Sequence, residues 1–385
     1  ADVGGLTPGS MPPDSTAIEH EGVLIDNFLL VDQGTFQGKA LEDLLLSATY
    51  PARNVYQNEA DLKAQIAACE KGIQEVRRMI GHFGQDLVQA YMNHVQDNAE
   101  ESVRRVIGAL KSGSFDYGLD NGAMVSVDIS INETARTAKL DFSRSSAQLE
   151  SNFNAPAAVC RAAVLYVFRT LVGQDIPLND GCLKPIEIVL PQGCMLNPNP
   201  GAAVVAGNVE TSQVVTDCIY GALQVMGACQ GTMNNFTFGN KTHQYYETIC
   251  GGAGAGSTWD GASAIHTHMT NTRLTDPEIL ELRYPVVLEG FGVRPDSGGE
   301  GKYRGGDGIT RRVRFLEDMT AAILSNRRKI PPYGMAGGAP GRCGINQVRR
   351  ADGSVETLKG ADKTEMAPGD VFIIETPGGG GYGAK

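Results

Sequence analysis

No two cysteines in this 385-residue sequence stand in Cys-x-x-Cys spacing, no Lys/Arg cluster interrupts it, and no apolar run approaches the roughly 18 to 20 residues that a membrane helix needs. Each absence removes a class of protein. Without paired spacing, the eight cysteines (69, 160, 182, 194, 218, 229, 250 and 343) read as reduced core thiols of a cytoplasmic protein, as in the apolar setting Asp217-Cys218-Ile219. Without a basic face, and with a formal charge of -11, the chain is not built for nucleic acid or an anionic membrane. The first residues also lack a basic-then-apolar signal pattern.

Two catalytic signatures are missing as well. No Gly-x-Ser-x-Gly elbow is present, and Cys182 and Cys250 have no evident histidine partner, which disfavours a serine or cysteine nucleophile. Gly251-Gly252-Ala253-Gly254-Ala255-Gly256 lacks the Lys-Ser/Thr ending of a phosphate loop, so it is a poor ATP site, although its N–H groups have the makings of an anion cradle.

What is present is the composition of a packed protein, 42% hydrophobic and 20% charged, long enough for two or three cores or one elaborate α/β unit. Residues 1–22, rich in Gly, Pro and Ser, predict a loop, and Val23 to Val31 a buried strand pair or hairpin end with Asp32-Gln33-Gly34 as its turn. Leu62, Ile66, Cys69, Ile73, Val76, Ile80 and Phe83 step by four and three along a helix that Gly84 ends. A second helix follows from about Asp86 to Leu110, with Leu87, Tyr91, Val95, Ala99 and Val103 on its inner face, giving an antiparallel pair. Strict alternation over Met124 to Ile131 and again at Ala138, Leu140 and Phe142 predicts a half-buried β-hairpin. Helices are expected at Ala155 to Val172 and Val209 to Met226, the latter capped by Asn208, with a short strand at Ile186 to Leu190. After Gly227 glycine pairs and short β-like runs take over.

The expectation is a mixed α/β (α+β-like) fold, with an N-terminal helical hairpin between strands and a β-rich, Gly-rich C-terminal half sharing one extended core. Residues 1–150 would form an α+β region and 151–385 a Gly-rich core region of one continuous unit. The opening Ala1-Asp2-Val3-Gly4-Gly5 reads as the middle of something, so a cleaved or truncated chain is expected.

Six ordered segments then belong together: Ala1 to Gly5 with Pro8-Gly9-Ser10, Asn208-Val209-Glu210-Thr211-Ser212-Gln213, Gln230-Gly231-Thr232-Met233-Asn234-Asn235, His268-Met269-Thr270-Asn271-Thr272, Arg304-Gly305-Gly306-Asp307-Gly308, and Thr376-Pro377 with Gly378 to Gly383. Together they resemble the B-type subunit of the hydantoinase/oxoprolinase family, which includes one half of 5-oxoprolinase, N-methylhydantoinase, caprolactamase-like enzymes and the acetone and acetophenone carboxylases. Leu178 to Cys182, Tyr245 to Thr248 and Trp259-Asp260-Gly261 look nearest to the 5-oxoprolinase branch.

The resemblance implies an ATP-dependent amidohydrolase on cyclic amides, in which an ATP-binding A-type partner phosphorylates the amide oxygen and the B-type part hydrolyses the activated species. ATP would be bound by that partner and not by this chain, and the missing N-terminal segment of the B-type chain is a further partner. A divalent metal (Zn, Mn or Mg) is expected, since bound water attacks at neutral pH. Asp2, matching the acid of the family's His-x-x-Asp element, and His20 are its expected ligands. His268 is the expected acid or base, because His266 and His268 flank Thr267 and share a face if extended. Glu210 and Asn271 complete the expected catalytic set among polar groups beside glycine turns. Arg304, Arg327 and Arg328 suit carboxylate or phosphate binding, with ordinary salt bridges as the plainer alternative. Two other readings stay open: a component of an ATP-dependent ketone carboxylase, and a non-catalytic scaffold subunit.

Overall fold

The computed structural model describes residues 2–385. Chain order runs β1 (Val31–Asp32), β2 (Thr35–Phe36), α1 (Gly38–Leu46), α2 (Val55–Phe83), α3 (Gln85–Ile107), β3 (Gly113–Gly118), β4 (Met124–Asn132), β5 (Thr137–Asp141), α4 (Ala157–Leu171), β6 (Ile186–Val189) and α5 (Ser212–Leu223). The C-terminal half adds β7 (Asn235–Gly239), β8 (Gln244–Glu247), α6 (Pro277–Arg283), β9 (Val286–Val293), β10 (Ile309–Phe315), β11 (Met319–Leu324), β12 (Ile345–Arg349), β13 (Val355–Leu358), β14 (Ala361–Met366) and β15 (Val371–Glu375). The mixed α/β class, the hairpin between strands and the β-rich second half are as the sequence predicts. None of the described helices is long and apolar enough to cross a membrane.

Alternation in β4 puts Val125, Val127 and Ile129 into a core, where β3, β4, β5 and β6 form a sheet in that order, antiparallel except for the parallel β5–β6 pair. Against it pack α4, α5 and the last turns of α3 through Ala99, Val103 and Ile107. In the second half, a five-stranded sheet (β13-β12-β15-β10-β9) faces a four-stranded one (β14-β11-β7-β8). Phe236, Phe238 and Ile323 from one sheet meet Val313, Phe315 and Phe372 from the other. A buried ion pair bridges the two layers, with Arg311 donating to both carboxylate oxygens of Glu247 at 2.8 and 3.1 Å. The expected single extended core is therefore divided into two principal apolar clusters, plus a small one around Leu41 and Leu45 of α1.

Two local expectations are corrected. The Val23 to Val31 run is not buried: Leu24, Ile25 and Leu29 are exposed, and pairing is confined to two residues on each side of Gln33-Gly34. The α2–α3 pair is antiparallel and turns at Gly84, but Ile73, Val76 and Phe83 of α2 and Leu87, Tyr91 and Val95 of α3 stay exposed. Periodicity finds a stripe, and only tertiary contact decides whether something covers it.

The glycine-rich segments explain one another. The N–H groups of Gly251, Gly252, Ala253, Ala255 and Gly256 donate to the carbonyls of Ile265, Pro377, Ala262, Gly380 and Trp259, and Gly379, Gly380 and Gly381 donate to Gly306, Ala228 and Ala339. These runs are thus internal main-chain ladders, and the expected anion cradle at 251–256 has no free donor to offer. Backbone lies on backbone: a Cβ on Gly252 would fall 2.0 Å from the Gly306 carbonyl oxygen, and one on Gly379 would fall 2.0 Å from that of Ala253. Gly379→Ala should therefore lower stability by about 3 kcal/mol or more, or prevent folding. Gly72→Ala, in open space on the solvated α2, should raise it by about 0.5 to 1 kcal/mol. Thermal unfolding of both variants checks this, and equal effects would contradict the ladder.

Candidate functional site

Helix α5 is buried along nearly its whole length, Ser212 to Ala222, although it carries Ser212, Gln213, Thr216 and Asp217. Polar side chains so enclosed need partners. Ser212 and Thr216 donate back to the carbonyls of Asn208 and Ser212, while Gln213 donates to the His268 carbonyl and accepts from the Thr267 hydroxyl at 3.2 Å. The helix thereby fixes the 267–270 turn, in which Met269 has a positive φ of 62°. It enters through a π-type turn, Gly207–Thr211, that places Glu210 inside the protein. Asn208 lies within that turn, exposed, and not at a cap; no side chain caps the turn.

Asp217, Cys229 and His268 bring an oxygen, a sulfur and a nitrogen together, all within 4.8 Å of one another. Cys229 Sγ lies 3.0 Å from His268 Nε2, which is 3.8 Å from Asp217 Oδ1. The Cys229 N–H donates to Asp217 Oδ1 at 3.1 Å, and the Gly254 N–H to Cys229 Sγ at 3.3 Å. On the far side of the imidazole, Nδ1 pairs with the Tyr166 hydroxyl at 2.9 Å, and the Tyr220 ring packs at 5.1 Å. Asp217 Oδ2 is buried without a partner.

Burial governs the charge states. It holds the His268 imidazole down at about 4, raises Asp217 to about 7 and pushes the Cys229 thiol upward. Burial thus disfavours the charged form of each of the three groups, and an ion pair of imidazolium with carboxylate with them. Cys229 and His268 line a cavity of about 430 Å³, together with Tyr166, His266, Thr267 and Trp259. Both ring nitrogens of His266 are buried and unpartnered. The 266–268 segment is a loop and not a strand, so the two histidines reach the cavity by turn geometry.

A second polar cluster is sealed off from solvent. Glu210 Oε1 accepts from the Thr232 hydroxyl (2.9 Å), the Met233 N–H (3.0 Å) and the Asn235 amide (2.7 Å), and Oε2 has no partner. Arg328 donates to Asn234, Asn346 and the Asn326 carbonyl. Arg327 stacks over Tyr117 at 3.6 Å and donates to the Gly118 carbonyl. Arg304 makes an ordinary two-pronged salt bridge with Asp307 at 3.0 and 2.8 Å.

The expected site residues are thus dispersed. His268 sits on the cavity, whereas Glu210 is in the sealed cluster and Asn271 is exposed on the surface. Asp2 is buried, with its carboxylate accepting from the Gly4 and Gly9 N–H groups at 2.8 Å each and from Arg53 Nη1 at 2.9 and 3.0 Å. His20 turns its ring toward Thr16. Asp2 is thus paired with Arg53, and the group of three donor side chains found close enough together to hold a metal among the described residues is Asp217, Cys229 and His268. Asp217 and Cys229 are not among the residues that the sequence marks out for the site. The available signals were an acid on the inner face of a helix seven residues after Glu210, and a cysteine directly before Gln230-Gly231-Thr232.

The Hydantoinase B/oxoprolinase family model matches residues 1–385. The chain is 44% identical over 395 residues to 5-oxoprolinase of Dictyostelium discoideum and 44% identical over 410 residues to 5-oxoprolinase 1 of Arabidopsis thaliana, in each case over 100% of this chain and 31% and 32% of theirs. It spans about a third of the length of these curated relatives. Among solved structures, ATP-dependent caprolactamase from Pseudomonas jessenii superposes with a TM-score of 0.85 at 24% identity, covering 100% of this chain and 70% of that one. Acetone carboxylase in its nucleotide-free structure gives 0.85 at 20%, covering 99% and 59%. At these identities the two structures establish a shared fold.

Burial pushes the Glu210 carboxyl up to about 8, from 4.5 when solvated. Between those values the unfolded chain loses this proton and the folded one keeps it. The contribution is therefore fully present below about pH 4.5 and is lost as pH rises toward 8. Glu210→Gln should gain melting temperature relative to the parent as pH goes from about 5 to 8, then level off. A difference that does not change with pH would contradict a protonated Glu210.

Proposed function

The chain belongs to the hydantoinase B/oxoprolinase family, and on that premise we propose that it is the hydrolytic component of an ATP-dependent cyclic amide hydrolase, opening 5-oxoproline or a hydantoin-like lactam in the cytoplasm. ATP is held by an A-type partner subunit or domain. The observation that carries the reading is the whole-chain likeness, at 44% identity, to two 5-oxoprolinases of which it spans about a third. That length leaves room in such a protein for a separate ATP-binding body.

The chemistry fits the cavity. An amide carbon is a weak electrophile, and phosphorylation of its oxygen by the partner makes it susceptible to water. Attack forms a tetrahedral carbon; the C–N bond then breaks as nitrogen takes a proton, and a second water releases phosphate from the acyl phosphate. The unengaged ring nitrogens of His266 stand on the cavity wall, where such protons would be exchanged, beside the imidazole of His268. Tyr166 and Gly254 hold His268 and Cys229 in place. A divalent ion, where bound, supplies polarisation of the reacting oxygen or water. Asp217, Cys229 and His268 are the residues that would hold it. Likeness to acetone carboxylase carries fold alone, so the lactam reading is preferred over ketone carboxylation, and the populated cavity speaks against a pure scaffold.

Coexpression with an A-type partner, followed by incubation with ATP and 5-oxoproline, should yield glutamate, ADP and phosphate, while the chain alone should turn over nothing. Absence of lactam turnover in the complex, or bicarbonate-dependent product from a ketone instead, would overturn the assignment.

A further inference from the structure

We propose that Asp217, Cys229 and His268 bind one zinc ion, with its remaining coordination position open to the cavity. The ligand types select the metal: a thiolate beside an imidazole favours zinc over magnesium or calcium, which prefer all-oxygen sites. The spacing also fits. Zinc bonds of about 2.0 to 2.3 Å in a tetrahedron set ligand atoms roughly 3.3 to 3.7 Å apart. The Sγ to Nε2 and Nε2 to Oδ1 separations of 3.0 and 3.8 Å bracket that range.

The surroundings are those of a ligand set. Tyr166 engages Nδ1 of His268, so Nε2 is the nitrogen that faces the sulfur, as a metal-ligating histidine with an outer partner requires. Gly254 donates to Sγ, and the Cys229 N–H holds Asp217 Oδ1. Asp217 Oδ2, on a residue only 1% exposed, has no partner of its own. Arg327 stacks on Tyr117 and donates through Nη1 to the Gly118 carbonyl, and it makes no hydrogen bond to Asp217 Oδ2, which stays available to a cation. Three segments, α5, the irregular stretch between α5 and β7 and the 268–269 turn, are thereby tied at one point. This assignment concerns metal binding only and stands whether or not the lactam reading holds.

The test uses the full 385-residue chain, loaded with cobalt(II) in place of zinc. A thiolate-to-cobalt charge-transfer absorption is expected, lost in Cys229→Ser and retained in Cys250→Ser and in His20→Ala. Tyr166→Phe should weaken zinc affinity about tenfold through loss of the outer hydrogen bond. Because Cys229→Ser can lose its fold, alkylation of the unaltered protein serves as a second readout: zinc should slow iodoacetamide labelling at Cys229 at least about tenfold over chelator. Lack of the absorption in the parent, its survival in a folded Cys229→Ser, or labelling of Cys229 indifferent to zinc would each overturn the site.

Discussion

One helix that is buried on every side yet polar along one face sets the terms for the rest of the molecule. Helix α5 cannot leave Gln213 or Asp217 unsatisfied at low cost, since an unpaired buried polar group costs about 1 to 3 kcal/mol. Gln213 therefore captures the 267–270 turn, and Asp217 captures the Cys229 amide. His268 arrives beside Cys229 as a consequence. The π-type turn that starts the helix shifts Glu210 into a separate sealed cluster, so two acids on one helix serve different surroundings.

Main-chain packing of glycines provides the rigid wall opposite that helix. Runs near 251–256, 297–308 and 376–383 exchange main-chain hydrogen bonds directly, and most of their glycines lie against backbone atoms. Such a wall presents Gly254 to Cys229 and leaves the Trp259 indole beside the cavity. Ordering so much glycine is entropically expensive, and dense main-chain hydrogen bonding offsets it.

Local periodicity makes much of the fold legible in the sequence. Alternation at Val125, Val127 and Ile129 and the i, i+4 stepping from Leu62 to Phe83 mark the right elements, because each spacing matches the period of one element type. The exposed outer end of the α2–α3 hairpin was not legible, since the stripe itself does not say whether it is covered. For the site, His268 was recoverable from its motif, while Asp217 and Cys229 were not. Their meaning comes from a contact between residues 12, 39 and 51 positions apart, which no spacing rule encodes. Asp2 was conspicuous in sequence and is engaged by Arg53, a partner equally invisible to local pattern.

On the proposed function, lactam opening takes place at the cavity beside His268. The ratio of glutamate formed to ATP consumed by the complex of this chain with its A-type partner tests it most directly. With His268→Ala, ATP cleavage by the partner should persist while glutamate per ATP falls by about a hundredfold or more. An unchanged ratio in a folded His268→Ala complex would place the chemistry elsewhere.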